Sequence, residues 1–89
     1  LARNSKSVTA ATLPLSQAKI RLAVALREGR SMQALELAKQ IYKAERNATN
    51  EETLFNAYLK RGRQLRSQEK VRDAATTLQN ALDLAAREP

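Results

Sequence analysis

Between Phe55 and Ala86 the apolar residues recur at steps of three and four, and the pattern is interrupted only once. Before the interruption Phe55, Tyr58, Gly62 and Leu65 share one face. After it, Val71, Ala74, Ala75, Leu78, Ala81 and Leu82 share another. A stripe of that period is one side of an α-helix, so the stretch reads as two amphipathic helices joined by a short polar turn. Small residues (Gly62, Ala74, Ala81) alternate with large ones (Tyr58, Leu65, Leu78), which lets two helices approach closely and fills the space between them. A helical hairpin shaped to stack on another hairpin is expected, with Tyr58, Leu65 and Leu78 buried.

A second hairpin is expected upstream. Leu15, Ala18, Leu22, Ala25 and Leu26 form one stripe, broadened by Ile20, Ala23 and Val24, and a stripe that wide suits a helix touched on two sides. Pro14 fits a first helical turn, with Thr12 or Ser16 as the cap. Gly29 supplies a left-handed stop. The following helix sets Ala34, Leu37, Ala38, Ile41 and Tyr42 on one face, and Leu37 and Ile41 are expected in the core. The segment ERNATNEE then joins the hairpins, and Thr49 with Glu52 three residues later reads as a capping box that starts the third helix near Asn50. The expected division is a flexible basic tail over 1–13 and one domain over 14–89, with hairpins at 15–46 and 51–87. The tail has few large apolar residues to offset its ordering entropy. An acid-free Arg/Ser segment is also what a transit peptide looks like. A first residue other than Met suggests an excised fragment or a processed product.

The later hairpin resembles a tetratricopeptide repeat. Tyr58, Gly62, Leu65, Ala74, Leu78 and Ala81 stand at that family's positions in order and at its spacing. The pattern departs at Arg61, where the family favours Leu, at Glu69, where it favours Gly, and at Ala86, where Pro is common. Residues 15–46 resemble the family loosely, with Ala18, Leu22 and Ala25 in the places of Tyr58, Gly62 and Leu65. The resemblance implies an all-α fold: two stacked hairpins forming a fragment of a right-handed superhelical α-solenoid. Ala34 and Ala74 are 40 residues apart, whereas the family's period is about 34 residues, which leaves room for a helical array of longer repeat. Two hairpins are fewer than such arrays usually need. Either a larger protein continues the stack or two copies cover the end faces.

Composition excludes more than it assigns. With no His and no Cys, the commonest general base, the commonest metal ligand, thiolate nucleophiles and thiolate metal sites are missing. The nine acids are mostly solitary, and Glu51–Glu52 suits a first-turn helix dipole better than paired carboxylate chemistry. The two glycines form no phosphate-cradling loop, and no apolar run is long enough to span a membrane. Enzymatic activity and a cofactor are not expected, and a cytoplasmic location is.

A net charge of +7, from 16 basic and nine acidic residues, favours an anionic partner. Lys60, Arg61, Arg63, Arg66, Lys70 and Arg72 crowd one short stretch with only Glu69 against them. The repeat resemblance implies a groove lined by the first helix of each hairpin. That groove would present Lys19, Arg27, Arg63 and Arg66 around the apolar anchors Leu26 and Leu59, and would suit an acidic peptide. The carboxylate clamp of some family members is not carried over, because Ala23 and Lys60 stand where Asn is needed beside Lys19. The expectation is therefore a non-catalytic protein-interaction or scaffolding module. A basic helical domain on RNA or DNA phosphates and a self-association element are the alternatives. Aromatic content of 3% leaves few stacking platforms for nucleic-acid bases.

Overall fold

A computed structural model describes residues 13–87, and all regular structure among them is helical. The helices are α1 (Leu15–Arg27), α2 (Ser31–Ala44), α3 (Ala48–Ser67) and α4 (Val71–Ala86). Each packs on its neighbour in sequence, α1 on α2, α2 on α3 and α3 on α4. No Cα of α1 comes within 8 Å of α3, nor any of α2 within 8 Å of α4. One hollow is bordered by both α1 and α3, and another by both α2 and α4. Residues 1–12, most of the expected tail, lie outside the described residues. Leu13, also assigned to that tail, instead packs half-buried against the core.

Both hairpin turns are built alike. In the first, Gly29 takes φ 73°, its N–H donates to Leu26 O at 3.3 Å, and the Arg30 N–H donates to Ala25 O at 2.9 Å. In the second, Glu69 takes φ 62°, its N–H donates to Arg66 O at 2.9 Å, and the Lys70 N–H donates to Leu65 O at 2.9 Å. This bond pair is the Schellman stop, in which a left-handed residue lets the chain turn while the last carbonyls keep partners. The turns are 40 residues apart, matching the offset read from Ala34 and Ala74. Glu69 therefore performs a glycine's task while carrying a Cβ.

The same offset pairs the helix crossings, and there large and small residues are exchanged. In the first hairpin Leu22 on α1 and Ala38 on α2 are both buried. At the equivalent places in the second stand Gly62 on α3 and Leu78 on α4. A Cβ placed on Gly62 would lie 2.5 Å from Leu78 Cδ2 and 2.7 Å from its Cγ, so Leu78 fills the space that a side chain on α3 would need. Leu65, Leu37 and Ile41 are buried as expected; Tyr58 and Leu78 are only half-buried. The face that α4 turns inward carries Ala74, Ala81 and Leu84, whereas Val71, Ala75 and Leu82 of the expected stripe are exposed. That apolar stripe is wider than one neighbouring helix can cover.

The junction between hairpins corrects the capping assignment. Asn47, not Thr49, caps α3: its Oδ1 accepts the Asn50 N–H at 2.8 Å, and the helix begins at Ala48. Thr49 lies within the first turn, where its carbonyl accepts from the Thr53 hydroxyl. Asn wins because its side chain reaches the third amide of the helix from an extended backbone, φ −132° and ψ 170°. Asn50 is the one buried polar residue among those described. Its Nδ2 donates to Glu45 O at 2.8 Å and to Glu45 Oε1 at 3.3 Å, tying the end of α2 to the start of α3. At the start of α1, Pro14 takes the cap position without a side-chain bond and its carbonyl accepts from Ala18; Ser16 lies inside the helix.

Two measurements check this packing. Gly62→Ala is expected to destabilise by about 1–2 kcal/mol, since overpacking outweighs the roughly 1 kcal/mol that Ala gains over Gly in a helix. Combining it with Leu78→Ala should cost less than the sum of the two single changes in urea melts, because the shortened residue 78 makes room. At the turns, Gly29→Ala should lower stability by about 1 kcal/mol, while Glu69→Gly should raise it by up to about 1 kcal/mol by removing a strained Cβ. Equal effects in the same direction would contradict the shared turn.

Candidate functional site

Because α2 and α4 both lie against α3 without touching, a cleft opens between them, and α3 forms its floor. The cleft holds about 360 Å³, within the range of small-ligand sites. Leu54 of α3 and Leu84 of α4, both buried, form its apolar base, and Tyr42 and Tyr58, both half-buried, stand beside them. These are the chain's two tyrosines, and there is no tryptophan. The rim carries Lys39, Lys43, Arg46 and Arg87 against Glu36 and Asp83. Helical spacing explains the gathering: Glu36, Lys39, Gln40 and Lys43 follow at three and four on α2, as do Asn80, Asp83, Leu84 and Arg87 along α4.

The cations of this cleft differ in how they are held. Lys39 Nζ lies 3.5 Å from Glu36 Oε2 and 5.8 Å from the Tyr58 ring centre. Arg46 stands 5.4 Å from the centre of the Tyr42 ring. Neither Lys43 nor Arg46 takes part in any of the three ion pairs found among the described residues. Asp83 accepts from Gln79 Nε2 at 3.0 Å. The result is an apolar pit rimmed by cations, of which Lys43, Arg46 and Arg87 join no ion pair among the described residues. Sequence reading missed it, although Tyr42 near the end of α2 with Arg46 four residues on, just beyond the helix, was a legible signal.

The groove residues expected from the sequence are only partly brought together. Lys19 and Leu26 line a hollow of about 330 Å³ between α1 and α3, with Leu22, Ala23, Ile41, Thr49, Asn50 and Thr53. Leu26 also borders a smaller hollow of about 200 Å³, which α3 lines with Lys60 and Gln64. Arg27 is exposed at the end of α1, Leu59 is half-buried, and Arg63 and Arg66 are exposed on α3; none of these four lines either hollow. Arg61 is half-buried, and its guanidinium donates to Gln64 Oε1 at 2.9 Å, the same oxygen that accepts from the Ser31 hydroxyl. That pair of bonds joins the ends of α2 and α3, so Arg61 is occupied within the fold.

Lys19 is also engaged, by Glu45 at 3.1 Å. The hydrogen bond from Lys19, then that from the Asn50 amide, then the nearby ammonium charge hold the Glu45 carboxyl below its ordinary value of 4.5. A depressed carboxylate stabilises the fold above its unfolded pKa, and that contribution is lost as pH falls through the lowered folded value. The effect is small, because both side chains are about half exposed.

Comparison with known proteins yields no relative: no family model, no characterised protein and no solved structure matches the chain. Function must therefore be argued from the residues. Among those described, no three His, Cys, Asp or Glu side chains gather as metal ligands, and no helix is both long and apolar enough to cross a membrane.

Carboxyl carbon NMR titration is the check on the Lys19–Glu45 contact. The Glu45 midpoint should fall below 4.5 and move upward in Lys19→Ala. A Glu45 midpoint indifferent to Lys19→Ala would remove the contact from solution.

Proposed function

We propose that this chain is a non-catalytic protein-interaction module that holds an acidic peptide segment in the cleft between α2 and α4. What carries the reading is the apolar pit of Leu54, Leu84, Tyr42 and Tyr58 beneath Lys43 and Arg46. An acidic segment with one leucine or aromatic anchor satisfies both halves of that arrangement. The anchor is desolvated in the pit, where central buried contacts carry most binding energy. Its carboxylates meet the rim, where Arg46 can bind them bidentately and Lys43 as a point charge. The overall +7 adds attraction at a distance and raises the encounter rate. A stack of repeated hairpins belongs to the same proposal, supported by the 40-residue offset shared by the turns and the crossings; a tetratricopeptide-like form of it rests on the resemblance of residues 55–86 alone, since that family's period is about 34 residues. A scaffolding role in a larger assembly belongs to the proposal too.

The cleft brings its own reporter. Because both tyrosines line it and no tryptophan is present, intrinsic tyrosine emission responds to a ligand entering there. Titration with a peptide of glutamates around a single leucine, free of aromatic residues, should change that emission and saturate. Lys43→Glu combined with Arg46→Glu should weaken binding at least about tenfold, consistent with charge pairs that contribute about 1.5 kcal/mol or more. Reversal at Arg63 and Arg66 should leave it within about twofold, as distant rim charges do. The opposite ranking would move the site to the α1–α3 side, and displacement of the peptide by single-stranded RNA at equal charge would favour a phosphate ligand.

A further inference from the structure

The cleft leaves one apolar surface unused. Along the outer side of α4, Val71, Ala75, Leu78, Leu82 and Ala85 follow at steps of four, three, four and three, the spacing of a helix–helix seam. Val71 is 68% exposed and Leu82 61% exposed; Ala75 and Ala85 are exposed, and Leu78 is half-buried where it rests on Gly62. Two large apolar side chains open to water on one seam are not required by the fold, because Ala74, Ala81 and Leu84 already make the α3–α4 contact.

We propose that this ridge is a dimer interface on which α4 of a second copy of the chain packs in antiparallel orientation. The proposal rests on how the ridge reads in both directions. A two-fold axis passing through Leu78 sets Val71 against Ala85 and Ala75 against Leu82 of the other copy, so the two exposed large residues each meet an alanine and the two Leu78 side chains meet on the axis. It also sets opposite charges together. Arg72 follows Val71 and Asp83 follows Leu82, so both stand on the same flank, and antiparallel helices bring matching flanks face to face. Arg72 lies about 9 Å along the helix before Leu78, and Asp83 about 7.5 Å beyond it, so the two come level across the axis. Arg72 joins none of the ion pairs among the described residues, and the Gln79 amide holds the Asp83 carboxylate on this flank. A parallel pairing would instead set Leu82 against Leu82 and leave Arg72 and Asp83 about 16.5 Å apart along the helix, on opposite flanks of the seam. The contact is isologous, and therefore closes at two copies.

Sedimentation velocity of the chain, from micromolar to near-millimolar concentration, is the test. A monomer–dimer equilibrium is expected, and a monomer at every concentration, or growth beyond two copies, would overturn the interface. Leu82→Glu should abolish the dimer without lowering the melting temperature of the dilute monomer, since residue 82 is outside the core; a dimer that survives this change overturns the proposal. Arg72→Asp and Asp83→Arg should each weaken association several-fold, and the two together should restore it. Failure of the pair to restore would refute the antiparallel register. Tyrosine emission of the Leu82→Glu monomer should still respond to the acidic peptide, so loss of the dimer and loss of the cleft are read separately.

Discussion

The contact between α2 and α3 is the constraint on which the rest of this architecture depends. It is the one packed interface between the hairpins, and both clefts exist because of it. Ile41 of α2 lies beneath the gap that separates α1 from α3, and Leu54 and Tyr58 of α3 lie beneath the gap that separates α2 from α4. Asn50 fixes one end of this interface. Its amide is withdrawn from water and bonded to Glu45, and its backbone N–H is bonded to Asn47. At the other end, Ser31, Gln64 and Arg61 share one set of hydrogen bonds. Polar groups pinned at both ends, with aliphatic packing between, set the register of one hairpin on the other; apolar contact alone would tolerate sliding.

Helix identity and turn position were legible because they are written in local spacing. The period of the apolar residues, Gly29, and the offset of 40 to Glu69 are properties of a single helix or turn. Features decided by two helices together were harder to read. Six apolar residues of α4 looked like one stripe, yet α3 covers only Ala74, Ala81 and part of Leu78 among them, and Leu84, outside that stripe, is buried. The cap assignment failed for a different reason. Thr49 with Glu52 and Asn47 with Asn50 are both plausible three-residue pairs, and the choice turns on where α2 releases the chain.

The cations show the same division. A helical wheel placed Arg63 and Arg66 on an open face, and they are exposed. Whether a charge beside an apolar pit becomes a site depends on the gap between helices, which no wheel contains. Tyr58 seemed committed to the core on its period alone; half-buried, it forms part of a cleft. On one side of the cleft the rim is basic, and on the far side of α4 lies an apolar ridge. That helix thus meets three different surroundings: α3, the cleft and open water.

Packing only between sequence neighbours also shapes how the molecule holds together. Every helix–helix contact joins segments adjacent in the chain, so loop-closure costs are low and each hairpin can form without waiting for distant partners. The corresponding weakness is that the two hairpins are joined through the α2–α3 face alone. A segment seated between α2 and α4 touches both hairpins at once and adds a bridge that the chain itself does not make. Occupancy of the cleft would therefore be felt as stiffness: the two hairpins would exchange amide hydrogens and unfold more nearly as a single unit.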